Sequence, residues 1–281
     1  MNLNQVRTQA NISIQGYLGS FHHKAATALF GEELILTECA TFYEVVQKAD
    51  NQEVDYGLMA IENSIAGSIL PNYQLLKDSS LKIVGEIYLK IGQHLMALAG
   101  QSIHDIQKVY SHHMALKQAD KFLNQYPFIQ RIEIEDTALA AKRIKEKNSL
   151  NEAAIAGDQA AALYGLEIIA KNIETVPNNF TRFLLLSKTD ETPEKSDKCS
   201  LLISLKHSSG TLAKVLTEIA EGGYNLSKIQ SFPIIENEWE YYFILDIEGI
   251  NNDHSIILVE KLREYVNSIR ILGTYLKGKT I

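Results

Sequence analysis

Asn179-Phe180-Thr181-Arg182-Phe183-Leu184-Leu185-Leu186 is the stretch on which the reading of this chain turns. It reads as a buried strand whose head carries a hydroxyl and a guanidinium between two aromatic rings. Side chains alternate along a strand, so Asn179, Thr181 and Phe183 share one face, with Phe180 and Arg182 on the other. At a strand end beside a cleft, a neutral donor, an amide and a fixed cation suit a small anion bearing a reactive hydroxyl. The plain alternative is a strand whose arginine caps a neighbouring carboxylate, and the five polar and aromatic residues alone favour it.

Working outward, short apolar runs alternate with helical patterns. Ile12-Ser13-Ile14 is a strand, and the Gly16–Gly19 turn leads into a helix from Ser20 to Phe30. Leu34–Leu36 is a second strand, and Thr41 with Glu44 has the spacing of a capping box. Tyr56–Ile61 is a strand, with Glu62-Asn63-Ser64 turning into the next helix. Lys108–Tyr110, Gln130–Ile134 and Ala153–Ala156 are strands, each followed by a helix, with Asp136 capping one and Gly165 stopping another. This alternation predicts an α/β architecture with largely parallel sheets. The extended run Ile83–Leu98 reads as a crossover between two lobes, and Pro177–Leu186 as the return, which puts Thr181 at the hinge. Ser187–Lys198 has no large apolar residue and reads as a linker. Beyond it, strands at Leu201–Leu205, Leu226–Ile235, Tyr241–Ile247 and Ile269–Leu276 and helices at Gly210–Ala220 and Asp253–Val266 follow a βαββαβ order, with a turn containing Asn237.

The bulk properties exclude several classes. With 281 residues the chain is long enough for two or three domains, and 46% hydrophobic with 22% charged residues is ordinary for a globular protein. A net charge of -7 argues against nucleic acid or an anionic membrane as partner, so an anionic substrate must be drawn by a local positive site. Cys39 and Cys199 lack metal or redox spacing and read as reduced structural thiols. Met1–Asn11 is polar, without a signal-peptide core, and no run of about 18 apolar residues occurs, so a cytoplasmic protein is expected.

Several groups point to chemistry. Gly16-Tyr17-Leu18-Gly19-Ser20 opens a helix whose free N–H groups suit a carboxylate, or it is simply a tight turn. Glu62-Asn63-Ser64 repeats that geometry; Asn63 or Ser64 would serve as an N-cap, while Glu62 at a sheet end needs partners. His22-His23 and His112-His113 are neighbours that point apart on a helix, so no metal site is expected, and solvated helix positions are the simpler reading of His22 and His23. No nucleotide loop, serine-hydrolase elbow or zinc signature is present, so catalysis must rest on positioning, donors and charge.

Taken in order, Gly16, Gly19-Ser20-Phe21, Ile61-Glu62-Asn63-Ser64, Tyr110-Ser111-His112, Asp136-Thr137-Ala138, Ala153–Ala156 and Asn179-x-Thr181-Arg182-Phe183 resemble the prephenate dehydratase family, in its monofunctional form with a C-terminal ACT domain. The resemblance implies a two-lobed, periplasmic-binding-protein-like catalytic domain at 11–187, with one lobe at about 11–88 and 177–187 and the other at about 89–176. A linker at 188–198 and a ferredoxin-like ACT regulatory domain at 199–281 would complete the chain. It implies that prephenate loses water and carbon dioxide to give phenylpyruvate, on the route to phenylalanine, without a cofactor. Thr181 would donate to the leaving hydroxyl and Arg182 would bind carboxylate, with Glu62, Asn63 and Ser64 also in the catalytic set. Ser20, Phe21, Ser111, Asn179 and Phe183 would contact substrate.

The ACT resemblance implies L-phenylalanine as effector, at Gly210, Thr211, Leu212, Asn225, Leu226, Gln230 and Ser231, in a homodimer or homotetramer. Gln230 and Phe232 stand where the family has a glutamate and an arginine, which removes two charges from that site and leaves a purely structural role open. Other departures are Gly92-Gln93-His94, His113-Met114 and Gly157-Asp158. Two alternatives stay open: the same chemistry on arogenate, and a non-catalytic two-lobed metabolite sensor that has no need of Thr181.

Overall fold

The computed structural model describes residues 10–189, 193, 195–206, 208–234 and 240–281. The expected turn around Asn237, the end of the Leu226–Ile235 strand, most of Met1–Asn11 and part of the linker lie outside these residues.

The first lobe is built from β1 (Asn11–Gln15), α1 (Phe21–Phe30), β2 (Ile35–Cys39), α2 (Phe42–Asp50), β3 (Tyr56–Asn63), β4 (Gly67–Ser68), α3 (Leu70–Asp78) and β5 (Lys82–Lys90). The second holds β6 (His94–Ala97), β7 (Lys108–Ser111), α4 (His113–Gln118), α5 (Asp120–Leu123), β8 (Gln130–Glu133), α6 (Thr137–Lys147), β9 (Glu152–Ala156), α7 (Asp158–Tyr164) and β10 (Glu167–Ala170). The chain then returns through β11 (Phe180–Ser187), which inserts between β3 and β5 of the first sheet, in the order β2-β1-β3-β11-β5. The second sheet runs β10-β6-β9-β7-β8. The two crossovers lie side by side, joined where Ile91 N donates to Asn179 O at 2.8 Å and Ile173 N donates to Gln93 O at 2.9 Å. Both connections between the two lobes pass through this point.

The sheets are mixed, not largely parallel. β1 pairs in parallel with β2 and β3, but β11 is antiparallel to both β3 and β5. Likewise β6 is antiparallel to β9 and β10. Each reversal sits where the chain changes lobe, a long-range event that local periodicity does not record.

Local signals fared better. Ser20, Thr41, Asp136 and Asn251 cap α1, α2, α6 and α9 (Asn252–Leu262) with their side-chain oxygens. One expected helix start is displaced: β3 continues through Glu62 and Asn63, turns at Gly67 (φ 82°) into β4, and α3 begins only at Leu70 with Pro71 in its first turn. Asn63 and Ser64 are therefore strand-end residues and cap no helix.

The C-terminal module comprises β12 (Lys198–Leu205), α8 (Thr211–Glu221), β13 (Asn225–Pro233), β14 (Tyr241–Glu248), α9 and β15 (Val266–Tyr275). Its sheet order, β13-β14-β12-β15, is the ferredoxin-like one. One face packs under α8 and α9 around Leu201, Val215, Leu245 and Leu258. The other shares a core with the first lobe, where Leu202, Phe232, Ile244, Leu272 and Tyr275 meet Met59, Ile61, Tyr73, Ile83 and Leu184. The approach is so close that a Cβ on Gly273 would lie 2.0 Å from Ile83 O. Residues beyond β15 run along β5: Tyr88 N donates to Lys279 O at 3.0 Å and Lys90 N to Ile281 O at 2.8 Å. Cys39 and Cys199 are buried and free, and burial raises the Cys199 thiol pKa to about 12.

Candidate active site

A cleft of about 420 Å³ opens between the lobes. Gln15, Ser20, Phe21, His22, Phe42, Asn63, Thr181 and Phe183 line it from the first lobe. Gln93, His112, Met114, Gln118, Glu135, Asp136 and Thr137 face them from the second. Strand alternation acts as expected on β11, because Thr181 and Phe183 face the cleft while Phe180 and Arg182 line a separate cavity behind it.

The floor is a hydroxyl–amide pair. Thr181 and Asn63 are register partners on β11 and β3. Asn63 Oδ1 accepts from Ile65 N and Ala66 N at 3.0 and 2.9 Å, which fixes the amide so that its nitrogen faces β11. Asn63 Nδ2 then donates to Thr181 Oγ1 at 3.0 Å and to Asn179 Oδ1 at 2.6 Å. Because the threonine oxygen is already an acceptor, its own proton is free to point into the cleft. Asn179 is fully buried and supports Asn63, and its Nδ2 has no hydrogen-bond partner.

Ser20 and Phe21 reach the cleft as expected. Ser20 Oγ accepts from His23 N as the cap of α1, and the Phe21 ring lies so close to Gly157 that a Cβ there would sit 3.0 Å from it. Glycine at position 157 thus lets the ring pack across the lobe boundary. Lys24 and Asp158, 2.6 Å apart, and Tyr17 Oη with Glu135 at 2.8 Å also bridge the lobes.

Five expected site residues lie elsewhere: Asn179, expected to contact substrate, is fully buried behind Asn63 and does not line the cleft, and four more are set apart from it. Ser111 is fully buried below the cleft, its Oγ donating to Ile155 O at 2.6 Å, so it braces the second sheet. Ser64 Oγ donates to Asn178 O and accepts from Phe180 N, tying the turn after β3 to the return crossover. Glu62 faces the C-terminal module, where Lys228 Nζ lies 2.6 Å away, and does not orient a donor in the cleft. Arg182 is buried among Glu86, Asp246 and Tyr275, its Nη1 2.5 Å from Asp246 Oδ2 and its Nε 2.7 Å from Glu86 Oε2. Burial opposes its charge, yet Asp246, Tyr275 and Glu86 hold the guanidinium well above its ordinary pKa. With both carboxylates already bound to it, Arg182 is a seam residue and not a substrate clamp.

No lysine or arginine is among the described residues that line the cleft. The local positive site expected for an anion is therefore not found among the described lining residues; the donors there are neutral, namely the first turn of α1, Thr181 and the amides of Gln93 and Gln118, with Gln93 Nε2 already donating to Gln118 Oε1 at 3.1 Å. Burial pushes the Asp136 carboxyl up, which weakens its opposition to an anion. His22, read from sequence as a solvated helix residue, instead packs edge-on to Phe183 with ring centroids 4.9 Å apart, and Nε2 is buried without a partner. Burial lowers its pKa to about 4, so the ring is neutral near pH 7. Phe42 and Gln118 escaped sequence reasoning, whereas Gln93 stood out only within the departing Gly92-Gln93-His94 and His22 only as a neighbour of the Gly19 turn; His112 and Asp136, at strand ends before helices, followed the rule that drew attention to Ser20.

The expected effector residues divide into two groups. Gly210, Thr211 and Leu212 line a cavity of about 530 Å³ with Lys206, Tyr241 and Phe243. Asn225, Leu226, Gln230 and Ser231 lie on β13, the edge strand, and do not line it. Phe232 points into the core shared with the first lobe.

A donor-floored cleft between two α/β lobes, backed by a ferredoxin-like module, defines a two-lobed α/β protein with room for a small metabolite and a further domain attached. A family model described as prephenate dehydratase matches residues 12–191. A bifunctional chorismate mutase/prephenate dehydratase from Aquifex aeolicus (strain VF5) is 37% identical over 267 residues, covering 93% of this chain and 73% of that protein. Prephenate dehydratase from Arthrobacter aurescens, solved in complex with L-Phe, aligns at 26% identity with a TM-score of 0.84, over 95% of this chain and 89% of that one. GqqA, described as a novel type of quorum quenching acylase, aligns at 26% identity with a TM-score of 0.85, over 95% and 98% of the two chains.

The chain belongs to the prephenate dehydratase family, and its activity is the dehydration and decarboxylation of prephenate to phenylpyruvate.

Proposed function

We propose that the inter-lobe cleft is the reaction site and that Thr181 is the donor to the departing hydroxyl. The observation that carries this reading is the Asn63 Nδ2 to Thr181 Oγ1 hydrogen bond, which leaves the threonine proton free on the cleft side. In the reaction the bond from ring to carboxylate breaks and its electron pair enters the ring, while the ring C–O bond breaks at the opposite carbon. The prephenate dianion and one proton become phenylpyruvate, carbon dioxide and water. A threonine hydroxyl is too weak an acid to supply that proton outright, so Thr181 lowers the charge on the leaving oxygen and relays a proton from solvent. Neutral donors suit the ring carboxylate, which must be held for orientation yet released as carbon dioxide. A fixed cation there would stabilise the starting charge and oppose its delocalisation. Phe21, Phe42 and Phe183 exclude water, which strengthens each remaining hydrogen bond.

Two other readings meet specific observations. Glu135 and Asp136 on the second-lobe wall, with the unpartnered Oε1 of buried Gln93, offer acceptors that an arogenate ammonium would use. The acylase activity named for GqqA would, with a side-chain nucleophile, need a hydroxyl beside a base; here Thr181 Oγ1 faces an amide and Ser20 Oγ is occupied as a helix cap. The test follows phenylpyruvate from prephenate and phenylalanine from arogenate with the native chain and Thr181→Val. Turnover of prephenate that collapses in the variant is expected. Turnover of neither substrate by the native chain would leave a sensor, and an active variant would remove Thr181 from the mechanism.

We propose further that residues 11–187 form the catalytic region, 188–198 the linker and 199–281 the regulatory region. L-phenylalanine would bind at the Gly210 turn, with Gln230 and Ser231 of a second copy completing the site through the β13 edge. A cytoplasmic homodimer or homotetramer fits that arrangement. Inhibition by phenylalanine that disappears in a Gly210→Val variant supports it; a rate indifferent to phenylalanine would assign the module a structural role.

A further inference from the structure

Asn63 and Thr181 owe their positions to what lies behind them. Alternation gives each a charged neighbour on the opposite face of the sheet: Glu62 before Asn63, and Arg182 after Thr181. The two charged residues are register partners, as the two cleft residues are. Behind the sheet, both are held by the C-terminal module. Lys228 of β13 reaches Glu62 at 2.6 Å, donates to Ser68 Oγ at 2.7 Å, and lies 5.7 Å from the centroid of the Tyr73 ring. Asp246 of β14 holds Arg182, and Ser200 Oγ donates to its other oxygen at 2.6 Å. Glu86 is shared by Arg182 and by Lys198 Nζ at 2.9 Å.

Arg182, Glu86, Lys198 and Asp246 are all buried, two cations against two carboxylates. A buried quartet of this kind tolerates little displacement, because moving one member leaves its partner's charge uncompensated. Between the two clasps lies a cavity of about 260 Å³ bordered by Glu62, Ser64, Tyr88 and Lys228, so the seam is pinned at charged points instead of being filled throughout.

We propose that Lys228 and Asp246 are positioning residues for the reaction: from the C-terminal module, they set the Asn63–Thr181 hydrogen bond through Glu62 and Arg182. The inference rests on the proposed role of Thr181. The sheet carries a shift at the clasp directly to the cleft, because each clasped residue is covalently joined to a cleft residue. A misplacement of an ångström at the reacting group can cost as much as about a hundred-fold in rate. The same strand, β14, carries Tyr241 and Phe243 at the Gly210 cavity and Asp246 at the clasp, so the module has a continuous element from one to the other.

The test compares steady-state turnover of prephenate by the full native chain with Lys228→Met, Lys228→Arg, Glu62→Gln and the Lys228→Met/Glu62→Gln double variant. Unfolding midpoints are measured alongside. Expected are a drop in kcat of about ten-fold for Lys228→Met with KM changed less than about two-fold, a similar drop for Glu62→Gln, and no further loss in the double variant. Lys228→Arg should restore most of kcat. A folded Lys228→Met with native kcat, a loss confined to KM, or additive losses in the double variant would overturn the proposal. Should Lys228→Met fail to fold, Glu62→Gln carries the same test, since that side chain is 32% exposed and the change removes only a charge. A native chain that does not turn over prephenate would defeat the dehydratase reading, whereas an active native chain with unaffected variants would defeat the clasp alone.

Discussion

The cleft and the seam lie on opposite faces of the same two strands, and their chemistry is inverted. The cleft, proposed above as the site for a dianion, has hydroxyls, amides and helix N–H groups but no lysine or arginine among its described lining residues. The seam buries Arg182, Lys198, Glu86 and Asp246. Charge is placed where it fixes geometry, and neutral donors where charge must redistribute during reaction. A buried ion quartet adds little net stability over an apolar seam, but it is intolerant of misalignment, which suits a positioning role.

The largest effect expected from breaking this contrast is on the cleft side. Thr181→Val should lower kcat by about a thousand-fold while leaving the unfolding midpoint near native. On the seam side, Arg182→Met should act first on stability. Leaving Glu86 and Asp246 without their cation should cost about 3 kcal/mol, read from denaturant unfolding. The same variant should alter the acid limb. Against the cost of burial, Arg182 and Lys198 depress the Asp246 pKa, so its contribution is full above the unfolded carboxylate value. That contribution is lost as pH falls through the lower folded value, and the loss should be smaller in the variant. Gly273→Val, which forces a side chain against the Ile83 backbone, should cost about 2 kcal/mol and lower activity only through the docking of the sheets.

A smaller effect separates His22. Its pKa falls from an ordinary 6.5 to about 4 on folding, so the unfolded chain binds its proton first. Stability is intact above pH 6.5 and declines as pH falls towards 4; His22→Phe should flatten that slope in thermal melts. The smallest effect concerns salt: with neutral donors in the cleft, KM should change less than about two-fold between about 0.05 and about 0.5 M salt. A steep salt dependence would mean that a cation reaches the substrate.

The contrast also explains what the sequence could show. Caps at Ser20, Thr41 and Asp136 and the βαββαβ order depend on neighbours a few residues away, and they are legible. Alternation at Thr181–Arg182 was legible too, and on its own it sends the two side chains to opposite faces. Motif adjacency nevertheless suggested that both serve one ligand. The partners that decide the matter, Glu86 and Asp246, lie 96 and 64 residues from Arg182 along the chain, and no periodicity connects them. His22 was opaque for the same reason, since its environment is Phe183 and Phe42 brought in by tertiary packing. The antiparallel reversals at β6, β10 and β11 are long-range in the same sense.

Residues 278–281, lying along β5, have a consequence for dissection of the molecule. They return the end of the described chain to the first lobe, and with the shared core they make the polar segment at 188–198 a boundary in sequence but not in space. Cleavage there should yield two fragments that travel as one particle, and the fragments should recombine when expressed separately. Excision of residues 11–187 alone should instead expose the β5 edge and the apolar face around Ile83 and Leu184, giving a product prone to self-association.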